Sequence, residues 1–168
     1  MNKGWMVAVL LAASGAVVAN DDGVPPGELH RNMLMTGCIH DEVGALAAHT
    51  AAMSVRSVYQ FEQETMGPAE LRLQRGDGTI LMLGWNEISL TCAAEIPYGA
   101  VGKPHFPALL AGLREAVTHR YGEIVTVEMV AGGEQWRLQT AGGAQLRIEL
   151  VQAARAIEMR SVTTVESP

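Results

Sequence analysis

The residues best suited to chemistry in this chain are crowded between His30 and His40: His30, Met33, Met35, Cys38 and His40, with His49 and Met53 a little further on. Thioether, thiolate and imidazole groups together suit monovalent copper. The spacing matches no compact ligand box, however, and methionine is most often a filler of apolar gaps. A copper-binding protein using His30, Met33, Met35 and His40 is therefore the alternative reading. The leading reading expects no metal and no cofactor.

The fate of Cys38 weighs heavily here. Cys92 is the only other cysteine, 54 residues away. In an exported chain an even cysteine count reads as a disulfide. A Cys38–Cys92 bridge removes the thiolate, the reactive and metal-binding form, and with it a Cys38/His40 nucleophile pair. A redox pair is disfavoured because Cys-x-x-Cys is absent.

Other reactive constellations are missing. No Gly-x-Ser-x-Gly elbow is present, and none of His30, His40, His49, His105 and His119 accompanies a nucleophile motif. Gly76-Asp77-Gly78 and Gly142-Gly143 fall between strand-like runs, so they read as turns rather than phosphate loops. Asp41-Glu42 stands near a helix start, where negative charge complements the helix dipole. Asp21-Asp22 lies in a polar stretch, and Glu62 and Glu64 alternate on a strand-like run. None of these carboxylates is gathered for acid–base work, and the expectation is a protein that is not an enzyme.

The compartment is written at the start. Lys3, the apolar run Trp5–Ala13 and the small residues Gly15–Ala19 have the layout of a secretory signal peptide cleaved after Ala19. The apolar stretch is too short for a spanning anchor, which needs about 20 apolar residues. A periplasmic or secreted protein without stable membrane insertion is expected. The net charge of −6 disfavours nucleic acid and anionic lipid as partners. It is compatible with a basic protein partner, although plain solubility explains it as well.

The elements that would position these residues fall into two similar stretches. Phe106–Tyr121 places Phe106, Leu109, Leu110, Leu113, Val117 and Tyr121 on one helical face, with Pro107 in the first turn and Gly122 just past the end. Alternating runs follow at 123–130, 135–140, 144–151 and 155–162. Earlier, Asp41–Met53 is a helix candidate with the stripe Val43, Leu46, Ala47 and Thr50. Strand candidates follow at 55–62, 71–75, 79–85 and 88–93. Leu71-Arg72-Leu73-Gln74 and Trp136-Arg137-Leu138-Gln139 share three letters, each before a glycine turn.

The expected fold class is α+β: two similar αβββ units, each one helix on an antiparallel sheet of three to four strands. The divisions are a leader at 1–19, a mobile N-terminus at 20–27, a first unit at 28–96, a connector at 97–105, a second unit at 106–163 and a tail at 164–168. A final strand left exposed would offer an unpaired edge to another copy.

With only 5% aromatic residues, Trp85, Tyr98 and Trp136, together with His105 on the connector, are the candidate partner anchors. The expected function is a non-catalytic exported protein-binding module, such as an inhibitor, immunity protein or envelope assembly factor. Its partner would be another envelope or secreted protein. N-terminal sequencing of the exported protein should begin at Asn20, and its non-reduced mass should lack the two hydrogens of a disulfide. A secreted form that still begins at Met1 would overturn the leader.

Overall fold

The computed structural model describes residues 26–166. The leader, the stretch 20–25 and the last two residues lie outside it. Among the described residues, no helix is long and apolar enough to cross a membrane.

Eight strands form one antiparallel sheet. They are β1 (Glu62–Gly67), β2 (Glu70–Gln74), β3 (Ile80–Trp85), β4 (Ser89–Pro97), β5 (Thr126–Val130), β6 (Gly133–Gln139), β7 (Gln145–Gln152) and β8 (Ala156–Thr164). Their spatial order is β1-β2-β3-β4-β8-β7-β6-β5. Each hairpin joins neighbours in sequence. The long-range pairing is β4 with β8, in register from Ser89↔Thr164 to Pro97↔Ala156. The final strand is therefore central and paired on both sides, so it offers no open edge to another copy. The sheet edges are β1 and β5.

Alternation decides which face is buried. Leu71, Leu73, Leu81, Leu83, Leu90, Cys92, Ala94 and Ile96 point one way with Trp136, Leu138, Leu146, Ile148, Leu150, Ile157 and Met159. Three long helices cover that face: α1 (Pro26–Gly37), α2 (Gly44–Tyr59) and, after the short α3 (Tyr98–Val101) and a 3₁₀ turn at Lys103–His105, α4 (Phe106–Tyr121). The expected stripe of α4 holds: Phe106, Leu109, Leu113 and Val117 are buried. The connector expected to break both helix and strand instead contains these two short helical pieces, and Val101 reaches the core.

The first half departs from expectation in three places. Pro26–Gly37 is a helix where no element was assigned. Its buried residues His30, Met33, Leu34 and Gly37 follow helical spacing, so residues resembling ligands are largely a packing stripe. Gly37 allows the closest approach, since a Cβ there would stand 2.8 Å from Leu81 Cδ1 and 3.0 Å from Val55 Cγ1. Val55–Tyr59, read as the start of a strand, continues α2. Val55 completes a buried stripe with Ala47, Ala48, Ala51 and Ala52, and burial on that stripe overrides the β preference of its branched side chain. The same small residues rotate α2 so that Leu46, expected in the stripe, is 79% exposed.

Cys38 and Cys92 form a disulfide with Cα atoms 5.1 Å apart. Both are buried, and the bridge ties the segment after α1 to the centre of β4. Ser161 Oγ donates to the Cys38 carbonyl and Thr163 Oγ1 to that of His40 at 2.8 Å, so β8 grips the same segment from the sheet. Replacing both cysteines by alanine should lower unfolding free energy by about 2–4 kcal/mol, from the loop the bridge closes. Urea denaturation with and without reductant measures this; equal midpoints would show that the bridge constrains little.

Candidate functional site

The face of the sheet opposite the helices carries no covering element among the described residues, and the strand registers define what stands on it. One row crosses the whole sheet as Glu70, Gly84, Thr91, Val162, Arg147, Arg137 and Thr126. The adjacent row runs Glu64, Arg72, Met82, Ala93, Arg160, Glu149, Gln135 and Glu128. Small side chains at Gly84, Thr91 and Ala93 leave a hollow of about 370 Å³ beside Arg160. A second hollow of about 530 Å³ lies beside Arg137 and Arg147. Val162 borders both, so together they make a shallow trough across the central strands.

The charge of this trough differs from that of the chain. Arg137 and Arg147 face each other directly across β6 and β7. Like charges in that position cost stability. A carboxylate and an amide hold the pair: Arg147 Nε donates to Gln135 Oε1 at 2.9 Å, Gln135 donates to Glu128 at 3.2 Å, and Arg137 lies 3.5 Å from Glu128. Arg72 pairs with Glu64 at the β1 side. Further along the central strands, Glu95 directly faces Glu158. The bare face thus carries both signs: Arg137, Arg147 and Arg160 border the two hollows, while Glu70 lines the first, Glu149 faces Arg160 and Glu128 holds Arg137.

The residues singled out by sequence do not converge there. Trp136 is fully buried, and its Nε1 donates to Glu134 at 2.8 Å, so it offers no surface to a partner. Trp85 is half-buried against Ala47, Ala48 and Leu90, its ring 5.3 Å from that of His49. Tyr98 packs on the core, donates to the Ala153 carbonyl and lies under the Lys103 ammonium. His105 is exposed beside Gly102.

The copper-type set is spread along α1 and the loop after it. His30 is 2% exposed and Met33 fully buried, whereas Met35 is only half-buried. His40 lies beyond the end of α1, and burial lowers its pKa, with Arg120 acting in the same sense. Among the described residues, no group of three or more His, Cys, Asp or Glu side chains is placed to hold a metal ion.

His30 and Met33 instead belong to a polar knot between α1 and the β2–β3 turn. His30 Nε2 lies 3.6 Å from Asp77 Oδ2, and Arg75 Nε lies 3.8 Å from the same oxygen. Arg75 Nη1 donates to the Met33 sulfur at 3.2 Å, and the Thr79 amide donates to Asp77 Oδ1 at 2.9 Å. Burial pushes the Asp77 carboxyl up, but hydrogen bonds from His30 and Thr79 and the Arg75 charge outweigh it and hold the pKa at about 2. The knot fastens α1 to the hairpin.

The trough arginines are what sequence reasoning missed. Arg72 and Arg137 belong to the shared letters of the two hairpins, and Arg147 and Arg160 occupy the outward positions of alternating runs. Alternation therefore places each on the solvent side of its own strand. Their common face follows only from the strand order.

No protein-family model matches the chain, and no curated protein or solved structure shows significant similarity to it.

Asp77→Asn should lower stability by up to about 2 kcal/mol at neutral pH, as the size of the pKa depression implies. A depressed carboxyl stabilises the fold above its unfolded pKa, and that contribution fades as pH falls from 3.8 through about 2. Urea midpoints of the two proteins should therefore differ at pH 7 and converge near pH 2. A gap that persists undiminished in acid would show that the ion pair is not its source.

Proposed function

We propose that this protein is a non-catalytic exported module that binds another envelope or secreted protein through the bare face of its sheet. The observation that carries the reading is the trough: floored by Gly84, Thr91 and Ala93 and flanked by Arg160, Arg147 and Arg137, on a chain whose net charge is −6. Arginine presents a planar fork that matches carboxylates, and opposed arginines gain when an acidic group arrives between them. The segment received is therefore acidic and extended, lying across the strands.

The tandem αβββ organisation is part of the same reading. It is supported by the strand order, in which β1–β4 and β5–β8 run inward from opposite edges. The shared hairpin letters then fall on β2 and β6, each next to an edge. Export is supported by the Cys38–Cys92 bridge, since disulfides persist in oxidising compartments.

The test is a paired capture from envelope extract with the wild-type protein and with Arg137→Glu/Arg147→Glu/Arg160→Glu. Wild type should retain a stoichiometric partner, and the triple variant should lose it at least tenfold while keeping its circular dichroism spectrum. Arg56→Glu, on the exposed side of α2, should retain it. Equal retention by the triple variant would remove the trough from the reading.

A further inference from the structure

The two edges of the sheet are not equally protected. An edge strand presents unpaired N–H and C=O groups, and proteins blunt such edges with charges, proline or bulges. β1 is blunted: its register slips between Thr65 and Gly67, Pro68 follows at once, and Glu62, Gln63 and Glu64 are exposed. β5 has none of these devices apart from the single charge of Glu128. It pairs with β6 without a slip from Thr126↔Arg137 to Val130↔Gly133.

The apolar side chains of β5 are also uncovered. Val127 is 38% exposed, Met129 78% and the preceding Val125 75%. Val127 pairs with the buried Trp136, so it points to the helix-bearing side. Met129 pairs with Glu134, whose carboxylate reaches Trp136 and Arg114 on that same side. Helix α4 stops short of this strip and leaves a hollow of about 590 Å³ lined by Leu110, Ala111, Arg114 and Glu134.

The hairpin fixes which backbone groups are free. The loop between β5 and β6 is Ala131-Gly132, with Gly132 at φ 83°. A two-residue loop makes Val130 and Gly133 a hydrogen-bonded pair, and the pattern then alternates. Thr126, Glu128 and Val130 direct their amides and carbonyls to β6. Those of Val127 and Met129 point outward.

We propose that β5 is the self-association edge of this protein, and that two copies pair antiparallel about Val127 to form a dimer with one continuous sheet. The sequence around Val127 is its own complement in that register. Val127 faces Val127 of the second copy and Thr126 faces Glu128, while Val125 gives its amide to the Arg137 carbonyl and stays with β6. The two valines meet on the helix-bearing face, and a hydroxyl meets a carboxylate on the other. Centring the pair one residue further on would set Glu128 against Glu128, a like-charge contact across the strands. Charge thus favours the Val127-centred register over that one. The inference rests on the edge backbone and on Val127, on the helix-bearing side, and does not depend on the proposed function.

Sedimentation equilibrium of the purified protein should show a monomer–dimer equilibrium below about 100 μM. Val127→Lys should weaken association at least tenfold with an unchanged circular dichroism spectrum, and Gln63→Lys on β1 should leave it intact. Val127→Cys places two thiols on the dimer axis, within disulfide reach for a hydrogen-bonded antiparallel pair. Mild oxidation should give a covalent dimer of that variant and little from Glu128→Cys. A wild-type protein that stays monomeric at that concentration would overturn the proposal. So would a dimer insensitive to Val127→Lys, or one cross-linked through position 128 in preference to 127.

Discussion

The pairing of β4 with β8 is the constraint on which the rest of this structure depends. Each hairpin in the chain is local and closes a short loop. Without the long register between Ser89–Pro97 and Ala156–Thr164, β1–β4 and β5–β8 would each be a short meander with two open edges. Joined, they present one broad inner face that three helices can share as a single core. The same pairing brings Arg160 beside Ala93 and Val162 beside Thr91, which sets the trough in the middle of the outer face.

Two further contacts hold the helical layer on that sheet. The Cys38–Cys92 bridge and the hydroxyls of Ser161 and Thr163 fasten the segment after α1 to the two central strands. At the other end of α1, the knot of His30, Asp77 and Arg75 fastens the helix to the β2–β3 turn. Histidine, methionine and aspartate therefore serve here as structural groups. A half-buried carboxyl held near pKa 2 by its neighbours is a favourable anchor at neutral pH, and its energy belongs to the fold.

Net charge proved a poor guide to local charge. The chain is acidic as a whole, and the outer face of the sheet carries at least six carboxylates beside its four arginines, yet three of those arginines border the two hollows. Summed charge speaks to solubility and steering at a distance. A partner lying on the sheet responds instead to side chains within a Debye length, about 8–10 Å at physiological salt. Over that range the opposed pair Arg137 and Arg147 stands out, with Arg160 facing Glu149 in the adjacent row.

What the sequence determined by itself was local. Alternation marked seven of the eight strands to within a few residues, because a half-buried strand must show one apolar face. The spacing of Phe106, Leu109, Leu113 and Val117 marked α4 for the corresponding reason at helical period. The parity and context of the two cysteines pointed to the bridge. Elements whose buried face is built from alanine, methionine and histidine were illegible, since these residues carry little periodic contrast. Hence α1 was missed and α2 was cut short at Met53. The relation between strands distant in the chain belonged to tertiary structure alone. Alternation says that Arg137, Arg147 and Arg160 point away from the core, but hydrogen bonding between β4 and β8, and between β6, β7 and β8, decides that they point at the same place. It also decides that β5 rather than β8 is an edge.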